Sequence, residues 1–125
     1  MPRFSNHSLS LLATCDQKLQ DVCNEAIKTI DFSIICGFRG QEEQDAAVAA
    51  GKSHTPWPTS NHNLSPSHAV DLIPYPFNPL TDWKNIDKFT EINSHMQTAA
   101  DKLGIKIRWG GHFTTLKDYD HWELV

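Results

Sequence analysis

The chain has 125 residues, 39% of them hydrophobic and 21% charged, which is enough apolar material for one core and too little length for a second, so a single domain over residues 1–125 is expected. A formal net charge of -4 excludes the broad basic footprint of a nucleic-acid binder. No run of residues approaches a membrane span, so membrane insertion is not expected either.

Met1 to His7 lacks the apolar stretch of a signal peptide, so a cytoplasmic protein is expected. Leu12, Cys15, Leu19, Val22, Cys23, Ala26, Ile27 and Ile30 recur at three- and four-residue steps, predicting one helix of about four turns capped by Thr14 or Ser10. Cys15, Cys23 and Cys36 all sit in apolar contexts with no Cys-x-x-Cys pair, which points to buried free thiols and excludes a thiolate zinc ribbon. Phe32 to Cys36 reads as a short strand ending at Gly37. Arg39 follows, ahead of an alanine-rich helix over 45–50 that Gly51 stops. Its guanidinium is either a surface partner of Glu42 or Glu43 or a clamp for an anion or carbonyl.

From Lys52 to Pro66 the composition turns to Ser, His, Thr, Pro, Trp and Asn, with Pro56 and Pro58 around Trp57, the mark of an ordered, site-forming loop. A strand over 68–73 then places His68, Val70 and Leu72 on one face and Ala69, Asp71 and Ile73 on the other. A second helix is predicted from Ile86 to Leu103, with Phe89, Ile92, Met96, Ala99, Ala100 and Leu103 as its buried stripe and Gly104 as its stop. His95 lies off that stripe and is expected in solvent. Ile105 to Trp109 alternates as a half-buried strand, Gly110-Gly111 makes a turn or bulge, 112–120 is a loop, and His121 to Val125 is a terminal strand. The sum is an α+β fold, a small, mainly antiparallel sheet with two to three helices packed on it.

Three residues on these elements can converge as metal ligands at the sheet edge: His62 on the loop, Asp71 on the strand and His121 at the start of the last strand. Two imidazoles and one carboxylate leave a zinc ion with net charge +1 and a position open for water, the donor set of a catalytic site. Asp118, Asp120 and Glu123 flank His121, and one of them must act as general base without taking a coordination position. Trp109 and Trp122 suit a core, with Trp109 also suited to a substrate platform, and His54 and His112 suit either a pocket or open surface.

Ser60-x-His62, Ala69-Val70-Asp71, and Trp109-Gly110-Gly111 leading to Asp118-x-x-His121 together resemble the zinc D-Ala-D-Ala carboxypeptidase and L-alanyl-D-glutamate endopeptidase family, which includes small phage endolysins. Gly37-Phe38-Arg39-Gly40-x-Glu42-Glu43-Gln44 is similar to its arginine segment, so the resemblance runs from about residue 34 to residue 124. It implies zinc on His62, Asp71 and His121, Asp118 as acid/base, Arg39 on the scissile carbonyl, and Ser60 as a substrate contact; Trp109 and His112 are further expected substrate contacts. The implied reaction is hydrolysis of a peptidoglycan stem-peptide amide by metal-activated water, with no covalent enzyme intermediate. The implied setting is that of a monomeric endolysin, released to the cell wall by a separate holin.

Two departures from the family pattern stand out. Asn63 to His68 adds about two residues between His62 and Asp71 and removes a glycine, which leaves His68 as a rival to His62. His112 stands where many endopeptidases carry an acidic residue. Cleavage of L-alanyl-D-glutamate is the first expectation, with a D-Ala-D-Ala dipeptidase or carboxypeptidase next. A non-catalytic zinc-binding interaction module on the same fold is the alternative from a different class, and a metal nuclease is weaker still.

Overall fold

The computed structural model describes residues 2–125. The helix expected from Leu12 to Ile30 is shortened to α2 (Gln17–Ala26), and a further helix, α1 (Asn6–Leu12), precedes it. The break between them comes from outside the segment. Ser67 N–H donates to Thr14 O and Asp16 N–H donates to Ser67 O, and these long-range bonds replace helical ones at residues 14–16. The caps follow from the break: Ser5 Oγ accepts from Ser8 N–H on α1, and Asp16, rather than Thr14 or Ser10, accepts from Lys18 N–H on α2.

Strands β1 (Phe32–Cys36), β2 (Ala69–Pro74), β3 (Ile107–Trp109) and β4 (His121–Leu124) form a sheet of order β1-β2-β4-β3 in which every neighbouring pair is antiparallel. Between them lie α3 (Gln41–Ala49) and α4 (Ile86–Leu103). Helix α4 stops at Gly104, whose φ of 70° is the left-handed conformation that glycine adopts without a Cβ penalty. Helix α1, over a segment for which no helix was expected, raises the count to four α-helices among the described residues, against the two to three expected.

Alternation gives the sheet two different faces. Phe32, Ile34, Val70, Leu72, Ile107, Trp109 and Trp122 join Leu19, Val22 and Cys23 of α2 and Phe89, Ile92 and Met96 of α4 in one core cluster. The opposite face carries a polar row, because Cys36 pairs with Asp71 across β1 and β2, and Asp71 with His121 across β2 and β4. Cys36 enters that row through a bulge between Ile34 and Cys36; without the extra residue it would be out of register with Asp71. The open edge of β1 is covered by α1, whose Ser8 hydroxyl accepts from Ile34 N–H at 3.0 Å. No helix among the described residues is long and apolar enough to cross a membrane.

The polar row corrects one expectation. Asp71 and His121 stand on the two central strands and not at the sheet edge, because the terminal strand β4 inserts between β2 and β3.

Candidate active site

The loop from Lys52 to Pro66 delivers His62 through a short 3-10 turn over Asn61–Asn63. Ser60 closes that turn: its Oγ accepts from His62 N–H at 3.2 Å, and its own N–H donates to Asn63 Oδ1 at 3.1 Å, a reciprocal cap. The His62 ring is 2% exposed and its Nδ1 lies 2.8 Å from Gly37 O. A carbonyl only accepts, so Nδ1 carries the proton and Nε2 turns its lone pair to the site. Gly37 can hold its carbonyl there because it has no side chain: a Cβ would sit 2.3 Å from Thr14 Oγ1 and 2.5 Å from Leu11 O.

His62 Nε2, Asp71 Oδ1 and His121 Nδ1 form a nearly equilateral triangle, with edges of 3.1, 3.2 and 3.2 Å. Donors bound to one tetrahedral zinc at its usual bond lengths lie about 3.3 Å apart, so the three fit such an ion. His121 Nε2 is 2.7 Å from Glu123 Oε1, which makes Nε2 the donor to that carboxylate and leaves Nδ1 as the free lone pair. Arg108 closes the chain with an ion pair to the other Glu123 oxygen.

The electrostatics favour a cation at the same point. Burial alone would lower the His62 pKa, but the adjacent Asp71 carboxylate outweighs it and pushes the group up to about 10. His121, also buried, is pushed up to about 9 by hydrogen bonds to Asp71 and Glu123. Burial would raise Asp71, yet the two imidazoles hold it well below the usual carboxylate range. Glu123 is buried too and is nevertheless held at about 2 by His121 and Arg108. Without a metal, protons satisfy this demand for positive charge; a divalent cation competes for the same lone pairs.

A second donor set overlaps the first. Cys36, His62 and Asp71 each offer a ligand atom within 4.8 Å of the others, and Cys36 Sγ is 3.8 Å from His62 Nδ1. That nitrogen already donates to Gly37 O, so ligation beside Cys36 through Nδ1 would break that bond, whereas His62 Nε2 already converges with Asp71 and His121. In the sequence Cys36 is one of three apolar-context thiols; only the bulge in β1 brings it here.

Arg39 sits beside the triangle, its Nη2 3.5 Å from Asp71 Oδ2 and its Nη1 donating to Gln44 Oε1 at 3.1 Å. Neither Glu42 nor Glu43 pairs with it among the described residues. Asp118 Oδ2 lies 4.0 Å from His121 Nδ1 with its side chain 50% exposed, at the mouth of the site. Gly110 fixes its backbone: Asp118 N–H donates to Gly110 O at 3.0 Å, and a Cβ on Gly110 would lie 2.1 Å from Asp118 O. Asp120 is pushed up to about 9 by burial first, then by the Asp71 charge and by Asp118. Glu123 is occupied by His121 and Arg108.

Two sequence-based assignments change. Trp109 is 4% exposed, stacks on Trp122 at 6.1 Å and donates from Nε1 to Tyr119 O at 2.8 Å. Its pairing with Trp122 places it on the core face, so it anchors the 110–120 loop and offers no substrate platform. Ser60 Oγ caps the His62 turn. His95 is half-buried, with Nδ1 2.7 Å from Thr29 Oγ1, rather than solvated. His112 and His54 are exposed, and His112 lies edge-on to Trp109 at 5.0 Å. His68 turns toward Asp16, 3.9 Å away, and takes no part in the triangle. Sequence reasoning missed the support given by Gln44 and Asn63, although Gln44 lies in the arginine segment itself.

Fold and site thus define a class: a small α+β domain whose two central strands and one capped loop gather two imidazoles and a carboxylate beside an arginine and an exposed aspartate. The chain belongs to the phage L-alanyl-D-glutamate peptidase family, which it matches over residues 1–123, and it is a peptidase. It is similar to the L-alanyl-D-glutamate peptidase of Escherichia phage T5, with 29% identity over 119 residues covering 94% of this chain and 85% of that one. Its fold is similar to that of the Serratia marcescens L-Ala D-Glu endopeptidase ChiX, with a TM-score of 0.82 and 32% identity over 98% of this chain and 90% of that one.

Proposed function

We propose that this chain is a zinc-dependent, phage-type endolysin that hydrolyses the L-alanyl-D-glutamate amide of the peptidoglycan stem peptide, with His62, Asp71 and His121 as its metal ligands. The observation that carries the reading is the triangle of lone pairs at 3.1 to 3.2 Å, with both imidazole tautomers set from behind by Gly37 O and Glu123. Bound there, zinc supplies Lewis acidity and makes water a usable nucleophile at neutral pH.

The remaining work falls to the chain's own groups. Asp118, half-exposed beside His121, takes a proton from the attacking water and returns it to the leaving amine. Arg39 steadies the scissile carbonyl oxygen as charge develops on it, with a guanidinium already held next to Asp71. The Phe113 ring, 5.9 Å from that of His121, walls one side of the site, and exposed His112 follows as a substrate contact. The domain acts as a monomer on the cell wall.

Digestion of purified peptidoglycan, followed by mass spectrometry of the fragments, tests the reading. A new amino terminus on D-glutamate is expected. Release of D-alanine would assign the chain to the carboxypeptidase branch, and a digest with no new terminus would remove the peptidase reading altogether.

A further inference from the structure

Helix α3 is docked in an unusual way. Its only buried residue is Gln44, at 0% exposure, whereas a helix held for stability alone normally buries an apolar stripe. The Gln44 amide makes four bonds: Oε1 accepts from Arg39 Nη1 at 3.1 Å and from Asn63 Nδ2 at 3.1 Å, and Nε2 donates to Ser53 Oγ at 3.0 Å and to Thr55 O at 2.6 Å. Reversing the amide would set Nε2 against two donors and Oε1 against a carbonyl, so its orientation is fixed by its partners.

We propose that Gln44 is the positioning residue for Arg39, holding the guanidinium against the Asp71 side of the site while leaving its positive charge available to the substrate carbonyl. This rests on the peptidase reading above. With Nη1 held by Gln44, Nη2 faces Asp71 Oδ2 at 3.5 Å and Cys36 Sγ at 3.6 Å. The Arg39 backbone is held by the ligand turn, since Arg39 N–H donates to His62 O at 2.7 Å and Arg39 O accepts from Asn63 Nδ2 at 3.0 Å. Gln44 and Asn63 therefore fix the clamp and the His62 turn relative to one another. The neutrality of the amide matters as well. A carboxylate here would still accept from Arg39, but it would neutralise the guanidinium and turn an oxygen on Thr55 O. Glu42 and Glu43 lie on the same helix and are exposed, while the buried position holds the uncharged side chain.

The test is a double-mutant cycle on a defined stem-peptide substrate, with bound metal counted in every variant. Gln44→Met is expected to lower kcat by about tenfold or more, with KM moving less than about threefold and metal content unchanged. In an Arg39→Ala background the same substitution is expected to cost under about twofold, since the group it positions is gone. An equal loss in both backgrounds would show a merely structural role and overturn the proposal, as would wild-type kcat in Gln44→Met. Should that variant fail to fold, the near-isosteric Gln44→Glu takes its place, with a loss of kcat expected and wild-type kcat contradicting the proposal. Wild-type kcat in Arg39→Ala removes the clamp and this inference with it. Failure of the peptidase reading itself looks different, because the unmutated chain would then cleave nothing.

Discussion

The two faces of the sheet are built from alternate residues of the same strands, yet they are stabilised in opposite ways. On one face Val70, Leu72 and Trp122 are fully buried among the apolar side chains of α2 and α4, where removal from water contributes roughly 1.5–3 kcal/mol per side chain. On the other, Asp71, His121 and Glu123 are nearly as buried, at 8%, 8% and 6% exposure. Burial there is a cost that only mutual hydrogen bonds and charge pairing offset. The core face should therefore be indifferent to pH and metal, and the polar face should depend on both.

The largest expected effect comes from splitting the faces at one adjacent pair. Asp71→Ala is expected to abolish stoichiometric metal binding and lower activity by about a thousandfold or more. Leu72→Ala is expected to cost about 2–5 kcal/mol of stability and leave the metal in place. Equal metal loss in both would show that the two faces are not independent. Next, Asp118→Asn is expected to keep the metal and lower kcat by about 10²–10⁴-fold; full activity would move the base elsewhere on the polar face. Glu123→Gln, which removes the carboxylate behind His121, is expected to weaken metal affinity by about 10–100-fold in a competition titration.

The smallest effect is a pH dependence confined to the polar face. In the metal-free chain His62 and His121 are raised to about 10 and about 9. Their contribution to stability is complete below the ordinary histidine pKa of about 6.5 and disappears as pH rises through 9 to 10. Glu123, held at about 2, contributes above about pH 4.5 and loses that contribution as pH falls through 2. Melting of chelator-treated protein should accordingly weaken from about pH 6.5 up to about pH 10, with a smaller change when metal is bound. An identical alkaline loss with and without metal would contradict the assignment.

What the sequence reveals divides along the same line. Helix α4 is legible from Ile86 to Gly104 because its apolar stripe and its glycine stop are local signals. The alternation of β2, also local, separates Asp71 from His68. What escapes is set by contacts distant in the chain. Ser67 interrupts the first helix from some fifty residues away, and β4 enters the middle of the sheet. The bulge that turns Cys36 toward Asp71 depends on pairing with β2. His62, Asp71 and His121 could be picked out by donor chemistry, but the tautomers that Gly37 O and Glu123 impose on them needed three-dimensional neighbours.

Metal content across a short set of variants tests the proposed centre most directly. One zinc per chain is expected in the wild type, in Cys36→Ala and in His68→Ala, with loss in His62→Ala and His121→Ala. Retention of zinc in His121→Ala together with its loss in Cys36→Ala would contradict the account and assign the ion to Cys36, His62 and Asp71.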